Sequence, residues 1–141
     1  MGKLPGLTKS KMEIISNDND QYHSVYYLAD SDSTEAMTIS FAKSEGTVDS
    51  KVAVVDGETI GELRGYGYDG ATFRRAAGIY FSVDGIPNVD DMPGKISFLT
   101  ALDGTTTLTE RMTVKNDGKV GIGTTTPSRT LTVSGDINVT T

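Results

Sequence analysis

Cysteine is absent from the 141 residues, so the chain has no disulfide framework, no thiolate metal ligand and no thiol nucleophile. Tryptophan is absent as well, and only 7% of residues are aromatic and 36% hydrophobic. That is a lean core for one compact subunit, although the composition is not that of a disordered chain. Histidine occurs once, at His23, which excludes a three-histidine or His/Cys metal centre. A Ser-His-Asp triad would have to use this residue, which between Tyr22 and Ser24 reads as a surface or packing side chain. Long apolar runs are missing too. Nothing approaches the roughly 18 residues of a membrane span, and the lysine-bearing start, Met1 to Leu7, has no apolar core of a secretory signal. Positive charge is scarce: 13 basic residues face 19 acidic ones, for a formal net charge of −6. A chain so charged grips a phosphate backbone poorly, so no nucleic-acid partner is expected. Helical spacing is almost absent. The best stretch, Ala71 to Ala77, is short, carries Arg74 and Arg75, and has neither a cap nor an apolar stripe.

What the chain has is glycine, 16 in all, and a regular succession of turns. Asp-Gly pairs stand at Asp56, Asp69, Asp84, Asp103 and Asp117. Both residues of such a pair tolerate the positive φ of tight hairpins. Between the turns, apolar residues alternate at period two: Ile79, Phe81 and Val83, then Ile96 and Phe98, then Met112 and Val114. Earlier in the chain, Val25, Tyr27 and Ala29 alternate, as do Met37, Ile39 and Phe41, and Val52 to Val55 is a short apolar run. Alternation of this kind marks half-buried strands. The expected class is all-β with antiparallel strands, and the length suits one domain or one domain with short tails.

The C-terminal third does not suit a simple monomeric sandwich. Val120, Ile122, Leu131, Val133, Ile137 and Val139 are spaced by Gly, Thr and Ser, with no aromatic residue beyond Phe98. A monomer would expose this strip, and long unprotected β edges invite association. Wrapping by three copies, each supplying one face of a shared narrow core, satisfies it. Gly121 and Gly123 then fall where backbones approach closely.

Candidate chemistry is sparse. Gly65 to Gly70 fits the Gly-x-Gly-x-x-Gly pattern, with Asp90 or Asp91 near the place of a ribose-binding acid. Yet the third glycine belongs to an Asp-Gly turn and no crossover helix follows, so a dinucleotide site is not expected. Asp90 and Asp91 are adjacent, in a loop marked by Pro87 and Pro93, and do not form a glycosidase pair. Asp30, Asp32 and Glu35 lack the glycine and terminal glutamate of a calcium loop and read as solvated acids. No catalytic residue, cofactor or metal is expected. Tyr66 and Tyr68 share a parity and are followed by Arg74 and Arg75. Tyrosines offer an apolar face and a polar tip, so these four are candidates for contact with a surface receptor, with packing at a subunit interface as the alternative.

The run Val120-Gly121-Ile122-Gly123-Thr124-Thr125-Thr126-Pro127-Ser128, followed by Leu131-Thr132-Val133-Ser134-Gly135-Asp136-Ile137, resembles the shaft segment of bacteriophage tail fibres and tailspikes. The stretch from Gly57 to Phe73, and the pieces Val83 to Pro87, Met92 to Phe98 and Glu110 to Val114, are similar to the block that precedes it. The resemblance spans residues 37–137. It implies a structural, non-enzymatic virion protein made in bacterial cytoplasm. The implied fold is an elongated homotrimer of intertwined β-strands followed by a narrow β shaft. The expected organisation is an attachment arm at 1–20, a β-rich fibre domain at 21–117 and a trimeric shaft at 118–141. Val120, Ile122, Leu131 and Val133 are the expected trimer core. Implied partners are two further copies, tail or baseplate proteins through the basic arm (Lys3, Lys9, Lys11), and a host surface glycan. Many members end in a self-cleaving chaperone domain. Nothing follows Thr141, so the expectation is a chain lacking that domain, a fragment, or a processed product. A capsule depolymerase fragment and a capsid or baseplate decoration protein are the alternatives.

Overall fold

The computed structural model describes residues 40–47 and 50–139. The expected arm, the alternating segments before Ser40, His23, and the acids Asp30, Asp32 and Glu35 lie outside them. The described residues are all strand, turn and loop. Two short strands, β1 (Glu45–Gly46) and β2 (Lys51–Val52), pair antiparallel. Six more form one sheet in chain order: β3 (Thr59–Tyr68), β4 (Phe73–Val83), β5 (Gly94–Ala101), β6 (Leu108–Val114), β7 (Val120–Ile122) and β8 (Leu131–Val133). The first five run antiparallel to their neighbours, while β8 lies parallel to β7.

All five Asp-Gly pairs are turns, each with its glycine at positive φ. Those at Asp69, Asp103 and Asp117 close the hairpins β3–β4, β5–β6 and β6–β7, while Asp56 leads into β3 and Asp84 opens the β4–β5 loop. Asp69 shows the chemistry. Its Oδ1 accepts the N–H groups of Thr72 at 2.8 Å and Ala71 at 2.9 Å, and its Oδ2 accepts Arg74 Nε at 3.0 Å. Those two N–H groups and the guanidinium hold its carboxyl down to about 2.

Register sorts the alternating residues onto one face. One cross-strand row reads Phe81, Ile96, Val114, Val120, Leu131. The next reads Leu63, Ile79, Phe98, Met112, Ile122, Val133. Because partners in register project to the same side, this is a continuous apolar face across six strands. Its cover is local. The Phe41 ring stacks on Phe81 with centroids 5.8 Å apart and fills the space a Cβ on Gly61 would need, 2.4 Å away. Val83 and Val54 are buried near this end. The earlier apolar run, Val52 to Val55, contributes only Val54 to the interior. Val52, although paired in β2, and Val55 are both exposed.

The opposite face is polar and small: Glu62, Tyr80, Ser97, Thr113, Gly121 and Thr132 stand in register. The connection from Gly123 to Thr130 crosses over it. Thr132 Oγ1 accepts the N–H groups of Ser128 and Arg129, each at 3.1 Å, and Gly123 N–H donates to Arg111 O at 2.8 Å. The Thr124 carbonyl oxygen lies only 2.3 Å from where a Cβ on Gly121 would sit. Gly121 is thus the place of close approach, as its spacing suggests, and in the single chain the approaching backbone is its own. The crossover buries Pro127, Gly121 and Thr113.

At the end of the sheet where the described N-terminal residues arrive, the β4–β5 loop is clamped to the β6–β7 turn. Asp84 accepts Lys115 Nζ and, at 3.0 Å, the N–H of Asn116, while Asn116 Nδ2 donates back to Asp84 O. Gly85 N–H reaches Asp56 Oδ1 at 2.7 Å. Burial opposes the Asp84 charge, but the Lys115 ammonium and the Asn116 N–H outweigh it and hold the carboxyl below its ordinary value. A depressed folded pKa contributes stability that is complete above the unfolded carboxylate value of about 3.9 and is lost as pH falls through the folded value. Asp84→Asn is expected to cost about 1–3 kcal/mol at neutral pH, with the difference from wild type shrinking once pH drops below about 4. Urea unfolding of both chains at the two pH values checks this, and equal midpoints at neutral pH contradict it.

Candidate functional site

Two surfaces have the geometry of contact sites, on opposite sides of the same sheet. The first is the apolar face. Val120, Ile122, Leu131 and Val133, expected together from sequence, do adjoin: Val120 pairs with Leu131 and Ile122 with Val133. They extend the rows of Phe98, Met112 and Val114 rather than standing apart from them. In the single chain Leu63 remains 46% exposed, Ile122 43% and Leu131 57%. Covering a half-exposed aliphatic side chain stabilises by on the order of 1 kcal/mol, and this face carries many.

The second surface is the far end of the β3–β4 hairpin, on the polar face. β3 runs from Thr59, opposite Ser82, to Tyr68, opposite Phe73. The hairpin tip therefore points away from the Gly57 and Glu58 backbone, which is hydrogen-bonded to Val83 where the chain enters the sheet. A bulge between Gly65 and Tyr66 shifts the register so that Tyr66 pairs with Arg75 instead of Ala76. Strict alternation would put Arg75 and Phe73 on the apolar side with Ala77 and Ile79. The bulge turns them to the polar side.

All four sequence candidates, Tyr66, Tyr68, Arg74 and Arg75, thus share the hairpin end. The Arg75 guanidinium lies 6.0 Å from the Tyr66 ring centroid, donates to the Tyr80 hydroxyl and sits 3.9 Å from Glu62 Oε2. Arg64 forks onto both oxygens of Glu62 and reaches the Tyr66 hydroxyl at 3.4 Å. Its guanidinium holds the Glu62 carboxyl below its ordinary value. Arg64, then Arg75, also lowers the Tyr66 hydroxyl. Arg74 instead serves the turn through Asp69. The sequence alone does not single out Glu62, Arg64 or Phe73. The Phe73 ring meets Tyr68 edge-on, with centroids 5.5 Å apart and planes at 61°. Its only sequence signal was its place opposite Tyr68 across the Asp-Gly turn.

The Gly-x-Gly-x-x-Gly run is β3 and its hairpin turn, followed by a strand and not by a helix. Asp90 and Asp91 lie in the β4–β5 loop, Asp90 at φ 60° and Asp91 bridged to Asn88. Among the described residues no group of three His, Cys, Asp or Glu side chains could hold a metal, and no helix is long and apolar enough to cross a membrane.

No family model matches the chain, and none of the curated proteins matches it. Among solved structures it is similar to the carboxy-terminal domain of the bacteriophage T5 L-shaped tail fibre, with a TM-score of 0.53 and 15% identity over 88% of this chain and 49% of that one. It is likewise similar to that domain solved with its intramolecular chaperone domain, at a TM-score of 0.54 and 15% identity over 89% of this chain and 34% of that one. The chain spans about half the length of the first and a third of the second. At this identity the likeness establishes the fold.

Proposed function

We propose that the chain is a structural segment of a phage tail fibre, a homotrimer without enzymatic activity that supports or performs contact with the host surface. The observation that carries this reading is the apolar face, six strands wide and only partly covered in the single chain, in a chain whose fold is that of a tail fibre domain. Three copies packing this face inward place Val120, Ile122, Leu131 and Val133, with Phe98 and Met112, in a shared interior. The mechanism is mechanical: strand pairing and the three-chain core give stiffness, and repetition strengthens weak contacts by avidity.

Strand polarity supports a division of labour. The described N-terminal residues enter the sheet at the Asp84 end, while Tyr66, Tyr68, Arg74 and Arg75 sit at the other. An arm at 1–20 then engages tail or baseplate proteins, and the hairpin points outward from the virion. The unit at 21–117 is the fibre domain, and 118–141 continues it as shaft. Antibodies against the chain, seen by electron microscopy of intact virions, are expected on the tail fibre. Label confined to the capsid or the baseplate body contradicts the reading.

A further inference from the structure

We propose that Asp103–Gly104, in the turn of the β5–β6 hairpin, is a site of spontaneous covalent modification. There aspartate rearranges to isoaspartate through a cyclic imide, while the fold holds back the other Asp-Gly pairs. Such a site stands whether or not the chain is a tail fibre.

The chemistry needs only the chain and water. The Gly104 nitrogen attacks Cγ of the protonated Asp103 carboxyl. An N–Cγ bond forms, the Cγ–OH bond breaks, and the hydroxyl leaves as water with the amide proton. Water then adds to either imide carbonyl. Opening at Cγ restores aspartate. Opening at the main-chain carbonyl leaves isoaspartate, with the chain running through Cβ and lengthened by a carbon. Nothing is oxidised or reduced. A following glycine favours the attack because no side chain shields its nitrogen, and all five pairs have that in common.

The structure separates the five. Attack needs a carboxyl free to swing onto the next nitrogen, and a nitrogen not already committed. Asp56 accepts Gly85 N–H at 2.7 Å, and Gly57 N–H donates to Val83 O at 3.1 Å. Asp69 is tied to Thr72, Ala71 and Arg74. Asp84 is clamped by Lys115 and Asn116, and its Gly85 N–H is the one that Asp56 accepts. Asp117 accepts Lys119 Nζ at 2.6 Å and Lys119 N–H at 3.1 Å, while Gly118 N–H donates to Lys115 O at 2.9 Å. Those partners also hold the Asp69 and Asp117 carboxyls below their ordinary values, so the protonated form that reacts is rarer there. Among the described residues, neither the Asp103 carboxyl nor the Gly104 N–H has a hydrogen-bond or ion-pair partner. Room is present as well. The turn at 102–107 is exposed throughout and longer than those at 69–72 and 115–119. A Cβ on Gly104 would meet nothing within 4 Å.

The test incubates the full chain in warm neutral buffer made with heavy-oxygen water, then digests it with trypsin in ordinary water. Lysines and arginines fall so that each Asp-Gly pair lies in its own peptide. Each passage through the imide leaves heavy oxygen at the residue, and electron-transfer fragmentation locates it and identifies isoaspartate. Expected at Asp103 is label about tenfold above any other pair, the factor for having to open one good hydrogen bond first. In denaturant the five pairs should label alike. Asp103→Glu, which must close a larger ring, should lose the label at that position. Even labelling of the folded chain, another pair in the lead, or no label at Asp103 each overturns the proposal. So does a preference for Asp103 that survives in denaturant, or label retained at position 103 in the glutamate variant.

Discussion

Ile122→Asp is expected to convert the proposed trimer into single chains. In the lone chain Ile122 is 43% exposed, so a carboxylate there stays hydrated and the sheet it belongs to folds. In a closed trimer three such carboxylates converge in an apolar interior. Moving an isolated carboxylate out of water costs well beyond the few kcal/mol that separate assembled from dissociated states, and like charges meeting on the axis add to it. The position is chosen because Met112 and Val133 flank it in register, so no polar partner can rescue the charge. The expected result is a soluble species of one chain mass in light scattering, with the β signature in circular dichroism retained. An unchanged trimer places Ile122 on an outer face and refutes the packing proposed for the apolar rows.

Gly121→Val detaches β8. A Cβ at this position would stand 2.3 Å from the Thr124 carbonyl oxygen, a distance real Cβ atoms do not show, and the obstacle is backbone rather than a movable side chain. The crossover must lift, and with it go the two bonds that Thr132 Oγ1 accepts and the burial of Pro127. Overpacking of this kind costs about 1–3 kcal/mol even before a lost strand is counted. Gly94→Ala is the control, since its nearest obstacle is Ser82 O at 3.8 Å, an ordinary contact. Hydrogen exchange is expected to show the amides of Val120 and Ser134, which bond across this junction, losing protection in Gly121→Val and keeping it in Gly94→Ala. Equal protection in both variants contradicts the crossover's dependence on glycine.

The all-strand, mostly antiparallel fold was legible because two signals with direct physical causes agreed. The glycine of an Asp-Gly pair readily adopts the positive φ that a chain reversal needs, and all five do. Period-two apolar spacing can only face one side of a strand, and Ile79, Phe81, Ile96, Phe98, Met112, Val114, Val120 and Ile122 all lie on one side. Illegible were the features that break the period. The bulges at Gly65/Tyr66 and Phe98/Leu99 depend on which residues pair, information that no single strand carries. For that reason the sequence alone shows Arg75 only as following the tyrosines and gives no sign that Phe73 meets Tyr68. Phe41 packs through a contact far along the chain, against Phe81 and Gly61. The parallel placement of β8 rests on a crossover whose only local cues were Gly121 and the Thr-Thr-Thr-Pro corner.

The central claim is that other copies of this chain cover the apolar face. Light scattering of the purified chain in neutral buffer tests it most directly. The account predicts a single species of three times the 15.0 kDa chain mass, stable on dilution. A stable folded particle of one chain mass would contradict it.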